Sequence, residues 1–210
     1  MQLKEIDTYI KLLTGSYEVL DLSELRQNFS GIELDLGCGK GSFTSILAER
    51  YPDRAVLACD VMIGRLRKLV KRNLRLNVEN MTVIRCEAQL FISRFLPDRA
   101  VDRLHLLCPD PWPKDRHRGH RLVTSDFAAQ IHRVLKTGGT LHFASDDIPY
   151  RDSVEKIFTE CGLFERDQSL LDDVADIQTD FEKMWLEMGK DVKHYGFKAL
   201  PLPPPNAVGH

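Results

Sequence analysis

The chain has 210 residues, 43% apolar and 29% charged, with a formal net charge of −2. This is the balance of a soluble globular protein long enough for one large domain, and it excludes overall basicity as an argument for nucleic acid: any such argument has to be local. Five widely spaced cysteines (Cys38, Cys59, Cys86, Cys108 and Cys161), an odd number with no Cys-x-x-Cys, fit reduced thiols better than disulfides or zinc.

The opening MQLKEIDTYIK lacks the apolar core of a signal peptide, and no run approaches the ~18 apolar residues of a membrane span, so a cytoplasmic protein without membrane contact is expected. Residues 1–30 are set apart as an N-terminal extension. From 31 to 200 strands and helices alternate. IELDL (32–36) reads as a short strand, and GCGKG leads into a helix, SFTSILAERY. VLACD (56–60), helix 62–76, strand 81–86, helix 88–95 and strand 101–107 follow. A helix over 124–135 is closed by TGG, then strand 140–145 and helix 150–161 complete the pattern. The tail PLPPPNAVGH, from Pro201, is Pro-rich and extended. The alternation predicts an α/β fold: a doubly wound, mostly parallel, seven-stranded sheet with helices on both faces. Such sheets bind ligands beyond the carboxyl ends of their strands.

The residues to question are therefore those just after strands. DLGCGKG places Gly37, Gly39 and Gly41 in a strand-to-helix turn, where glycine permits unusual backbone angles and close ligand approach. The dinucleotide fingerprint would need its third glycine at position 42, which is Ser42, and no Walker-type Gly-Lys-Ser/Thr is present. Asp35, just before the turn, suits a cationic ligand better than a pyrophosphate. Asp60 ends the second strand, where an acid can accept from both hydroxyls of a ribose. Glu87 follows the third strand, within reach of an adenine edge.

On DLGCGKG, Asp60 and Glu87 the chain resembles the class I methyltransferases that use S-adenosylmethionine and release S-adenosylhomocysteine. The resemblance implies that Asp35 lies near the methionine part of the cofactor, Asp60 holds the ribose and Glu87 lies beside adenine. It also implies that the fourth strand ends at the site of methyl transfer.

That strand delivers CPDPWPKDRHRGHRL, Cys108 to Leu122. Its prolines stiffen a turn that presents Asp110 and Trp112. Trp112 either stacks on a base or packs into the loop. Methylation at a pyrimidine carbon needs a cysteine nucleophile, usually in a Pro-Cys pair; here the order is Cys108-Pro109, and a small buried residue is the plainer role. Asp-Pro-Trp-Pro is close to the loop of exocyclic-amine methyltransferases, but its aromatic residue stands one place early. A ring nitrogen such as guanine N7 already has a lone pair. It needs orientation and a nearby negative charge, both of which Asp110 can give. Four Lys/Arg (Lys114, Arg116, Arg118 and Arg121) outnumber Asp110 and Asp115, with His117 and His120 among them, a local patch suited to a phosphate backbone. Helix IGRLRKLVKRNLR adds six basic residues, either an RNA face or a solvated one. His117-x-x-His120 lies among arginines, so no metal is expected.

PDPWPKDRHRGHRL, together with TDFE (Thr179 to Glu182), is similar to the signatures of the bacterial-type tRNA (guanine-N7-)-methyltransferases. That resemblance covers about residues 30–198. It implies methyl transfer to a guanine N7 in the variable loop of tRNA, with Asp110 at the reaction centre. Lys114, Asp146, Thr179, Asp180, Phe181 and Glu182 would then contact substrate. Arg116, His117, Arg118, Gly119, His120 and Arg121 would contact RNA. The family's motif often has a basic residue where Asp180 stands. Monomer and homodimer are both compatible with the family, and no obligate protein partner is evident. A methyltransferase acting on an exocyclic amine of nucleic acid or protein, or a silent cofactor- or RNA-binding protein of this fold, are the alternatives.

Overall fold

A computed structural model describes residues 3–13, 18–111 and 121–202. Its chain order is α1 (Leu3–Asp7), β1 (Ile10–Leu12), α2 (Ser23–Asn28), β2 (Gly31–Leu36), α3 (Ser42–Arg50), β3 (Arg54–Asp60), α4 (Ile63–Leu76), β4 (Met81–Arg85) and α5 (Ala88–Leu90). Then come β5 (Val101–Leu107), α6 (Ser125–Val134), β6 (Leu135–Ser145), α7 (Ile148–Glu160), β7 (Phe164–Arg166), α8 (Asp180–Glu187) and β8 (Lys193–Ala199). The strands form one eight-stranded sheet in the order β1-β4-β3-β2-β5-β6-β8-β7, parallel except where β8 runs against β6 and β7.

The expected alternation is present, and among the described residues the sheet has eight strands against the seven expected. Beyond the five strands placed from sequence lie β7, β8 and, from the segment set apart as an extension, β1. Its three residues pair in parallel with Val83 to Arg85. Ile6 and Ile10 are buried with Leu66, Leu69, Val70 and Val83, and Asp7 pairs with Arg67 at 2.7 Å. Apolar burial thus ties residues 3–12 to α4 and β4.

Local sequence explains the elements that frame the site. β2, GIELDL, is buried at all six positions, as a central strand with helices on both faces must be. α4 buries Leu66, Leu69, Val70 and Asn73, an i, i+3, i+4, i+7 stripe, and ends at Asn77 in the left-handed region. α7 starts at Asp147, whose carboxylate accepts from Tyr150 N at 2.8 Å, with Pro149 in the first turn. The helix expected over 88–95 is a short α5 running into a widened turn, Phe91–Phe95, which turns Phe91, Ile92 and Phe95 into the core. The strand order reverses at β2, between β3 and β5, so the carboxyl ends of these strands diverge and leave a crevice.

Candidate active site

A cleft of about 1000 Å³ opens at that crevice. Asp35, Gly37, Gly39, Asp60 and Glu87 line one part of it, and Asp110, Asp146, Thr179, Asp180 and Phe181 line the other. Gly41 and Glu182 are not among the residues that line it. Residues drawn from nearly the whole chain thus meet as the strand-end argument predicts. Trp112, Lys114, Arg116, His117, Arg118, Gly119 and His120 lie outside the described residues.

The glycine turn is held from two sides. Gly37, Gly39 and Gly41 have φ of 86°, 58° and 76°. Gly37 N and Cys38 N both donate to Cys59 O, at 2.8 and 3.0 Å. Gly39 N donates to Asp60 Oδ2 at 3.0 Å, while Asp60 Oδ1 accepts from Met62 N at 2.7 Å and Arg65 stands 3.6 Å away. Asp60 therefore organises the loop and keeps lone pairs for a ligand, since an ionised carboxylate has about four acceptor sites. A side chain at Gly41 would strike Leu69 of α4, whereas one at Gly37 would meet nothing. The first glycine leaves room in the cleft; the third permits helix packing.

Asp35 is buried and accepts from Thr44 Oγ1 at 2.5 Å. Burial, opposed by that hydrogen bond and reinforced by the Asp60 charge, raises its carboxyl to about 7. Glu87 caps α5, accepting from Gln89 N at 3.0 Å and Leu90 N at 2.8 Å, so its carboxylate is fixed in direction at the cleft wall.

At the opposite wall, Cys108 has a positive φ of 50°, and its N–H donates to Ala144 O at 2.8 Å, turning the chain sharply into Pro109 and the exposed Asp110. Burial, then the charges of Glu182 and Asp146, push the Cys108 thiol up to about 12, so it is no thiolate nucleophile. Arg121 braces this turn: its Nε donates to Pro111 O at 2.9 Å, and its guanidinium lies 5.0 Å over the Tyr150 ring. Thr179 and Glu182 form a capping box on α8, with Thr179 Oγ1 accepting from Glu182 N at 3.0 Å and Glu182 Oε2 accepting from Thr179 N at 3.3 Å. Asp180 occupies the first turn of α8, where negative charge complements the helix dipole, so an acid suits this position. Asp146 accepts from Lys190 Nζ at 3.0 Å.

Several site residues escaped sequence reasoning. Thr44, Arg65 and Lys190 reach the predicted acids from other elements, and Trp185 stacks on Phe181 with ring centroids 6.0 Å apart. For Trp185 a signal existed, its i+4 spacing from Phe181 on one helix. Among the described residues, no group of three or more His, Cys, Asp or Glu could hold a metal ion, and no helix is long and apolar enough to cross a membrane.

A doubly wound sheet with this glycine turn and these strand-end acids has the architecture of the Rossmann-like methyltransferases. The solved structure of the 16S rRNA methyltransferase KamB superposes with a TM-score of 0.64 at 19% identity, covering 91% of this chain and 99% of that one. Residues 30–195 match the model of a family described as "Putative methyltransferase". The tRNA (guanine-N(7)-)-methyltransferase of Neisseria meningitidis serogroup A is 33% identical over 80% of this chain and 71% of its own length. That of Thermotoga maritima is 30% identical over 81% of this chain. The chain belongs to the tRNA (guanine-N7-)-methyltransferase family. The match spans 55% of the length of the Thermotoga relative.

Proposed function

We propose that this chain transfers a methyl group from S-adenosylmethionine to N7 of a guanine in the variable loop of tRNA. One observation carries the reading: the glycine turn with Asp35 and Asp60 opens into the same cleft as Asp110 and the Thr179–Phe181 edge. The residues fit the cofactor. Asp35 is a buried carboxylate with a single hydroxyl partner among the described residues, suited to a cationic ligand. Gly37 leaves open space where any side chain would project. In this reading Asp35 faces the methionine portion, Asp60 accepts from the ribose hydroxyls, and Glu87 stands by the adenine. The cofactor supplies an electrophilic methyl group on a sulfonium.

The chain's own residues then have little proton chemistry to do, because guanine N7 carries a lone pair. Asp110 orients the base through its amino edge and stabilises the positive charge the purine acquires. Phe181, exposed at the rim, offers an aromatic face. The basic residues from Lys114 to Arg121 supply phosphate contacts, and Arg121 also braces the Pro-Asp-Pro turn. The reaction belongs in the cytoplasm, where tRNA is matured.

The test is to incubate the protein with unmodified tRNA and methyl-labelled cofactor, digest the RNA and identify the labelled nucleoside. Labelled 7-methylguanosine is expected. Label in another nucleoside would point to an exocyclic amine, and binding of cofactor and tRNA without label would point to a silent protein.

A further inference from the structure

Five ionisable side chains run in single file behind the cleft. Glu33 (β2), His105 (β5), His142 (β6) and His194 (β8) come from four neighbouring strands, and Glu182 (α8) ends the row. His105 Nε2 lies 3.0 Å from Glu33 Oε2, and the Nδ1 atoms of His105 and His142 are 3.0 Å apart. His142 Nε2 lies 2.8 Å from His194 Nδ1, and His194 Nε2 lies 2.8 Å from Glu182 Oε1. Glu33, His105, His142 and Glu182 are buried, with the Phe43 ring packed on both inner imidazoles.

Each of these four contacts needs one proton between its partners. Three neutral imidazoles supply three protons, and ionised carboxylates supply none. Glu33 is ionised: Arg103 Nε and Nη2 donate to its two oxygens at 2.9 and 3.2 Å, and Arg54 pairs with it as well. His105 must therefore donate to Glu33 through Nε2, His142 to His105 through Nδ1, and His194 to His142 through Nδ1. The neutral supply is then exhausted. His194 Nε2 and Glu182 Oε1 would face each other lone pair to lone pair.

We propose that the row holds one further proton, between His194 Nε2 and Glu182 Oε1, which makes His194 a positioning residue for the Thr179–Phe181 edge of the cleft. The surroundings favour that end. Around His142 burial and the neighbouring His105, His194 and Arg103 oppose a positive charge. Around His105 burial and Arg103 oppose it, against the pull of Glu33 and the more distant Asp173. The Cys108 thiol lies near Glu182 and feels the charges of both Glu182 and Asp146, the latter bonded to Lys190, and His194 is the least buried member of the row. With the proton in place, Glu182 is held by His194 on one oxygen and by Thr179 N on the other. Release of that proton to solvent sets two lone pairs against each other and loosens the first turn of α8. Base capture at this edge should then weaken as pH rises. That consequence rests on the function proposed above; the proton count does not.

The experiment is a histidine-ring nitrogen and glutamate-carboxyl NMR titration of the full chain, alongside Glu182→Gln. The glutamine amide can donate to His194 Nε2 while its oxygen accepts from Thr179 N, filling all four contacts without a charge. At pH 7 the wild type is expected to show either both His194 nitrogens protonated or a protonated Glu182, with His105 and His142 neutral. In E182Q, His194 is expected neutral with its proton on Nδ1. A wild-type His194 neutral beside an ionised Glu182 overturns the proposal, as does a His194 spectrum unchanged in E182Q; if E182Q does not fold, the wild-type titration alone decides. In methylation assays, the ratio of KM for tRNA at high and low pH should exceed one in the wild type and fall towards one in E182Q. An extra proton in the spectra with no tRNA methylation at any pH would leave the row standing and remove the proposed function.

Discussion

Thr44 donates its hydroxyl proton to Asp35 across 2.5 Å, and this is the sole hydrogen bond to that carboxylate among the described residues. One hydroxyl does not offset burial and the Asp60 charge, which is why the Asp35 carboxyl is raised to about 7. A raised acid is protonated in the free protein below about 7, and relative to the unfolded chain it costs stability progressively from about pH 4 to 7 and fully above that. A cationic ligand favours the ionised form. Binding of S-adenosylmethionine near pH 7 should therefore release a fraction of a proton, and affinity should rise between about pH 6 and 8. Calorimetry in two buffers of different ionisation enthalpy measures the release. Asp35→Asn should abolish it, and a buffer-independent enthalpy in the wild type would remove Asp35 from cofactor binding.

Gly37 and Gly41 should separate binding from stability. Both have positive φ, so alanine at either costs about 1–2 kcal/mol in backbone strain. At Gly41 the new Cβ would also lie 2.1 Å from Leu69 Cδ1, and overpacking of that kind costs roughly 1–3 kcal/mol more. Gly41→Ala should therefore be the less stable variant in urea. Gly37→Ala projects into the cleft and should lose more cofactor affinity than its stability change explains. Equal denaturation midpoints would contradict the packing role of Gly41.

The ion pair at the start of the histidine row sets an acid limit on the fold. Burial alone would raise the Glu33 carboxyl, but the His105 hydrogen bond and the Arg103 charge overturn it and hold the group at about 2. A depressed acid stabilises the fold above its unfolded value and loses that contribution as pH falls towards the folded one. Acidification from about pH 4.5 towards 2 should thus progressively remove the stability that this group contributes. Arg103→Met strips the main compensating charge and should cost about 3–5 kcal/mol at pH 7. Denaturation curves across pH test both. A stability unaffected by Arg103→Met would mean that Arg54 alone suffices.

The strand-end acids were legible because a parallel sheet buries its strands on both faces and presents their carboxyl ends to the cleft, so an acid at or just past the end of a strand marks the cleft edge. Asp35, Asp60 and Glu87 follow from that rule. β1 escaped because three residues, Ile10 to Leu12, carry no periodicity. The histidine row escaped for a different reason: His105, His142 and His194 become neighbours only through the strand order β5-β6-β8, which no local pattern encodes. Glu182 was visible through its resemblance to a motif. Its attachment to His194 was not, since a capping box reads the same whatever lies behind it.

Asp110 is the group on which the chemistry should depend most. It is exposed at the cleft mouth, on a turn fixed by Pro109, Pro111 and the Arg121 bond to Pro111 O. In the proposed reaction guanine N7 needs no base, so Asp110 would contribute orientation and stabilisation of developing charge, and loss of one such group typically costs roughly 100- to 1000-fold in kcat. Asp110→Ala should show that loss with little change in tRNA affinity, since phosphate contacts dominate affinity and lie elsewhere. Asp110→Asn keeps the orienting carbonyl but not the charge and should fall between the two. Single-turnover methylation with a parallel filter-binding assay separates the effects. Undiminished turnover in Asp110→Ala would move the reaction centre elsewhere in the cleft. Arg121→Ala, which frees the turn but leaves the carboxylate, should lower kcat less than Asp110→Ala does; an equal loss would mean that the rigidity of the turn, rather than the carboxylate, limits the rate.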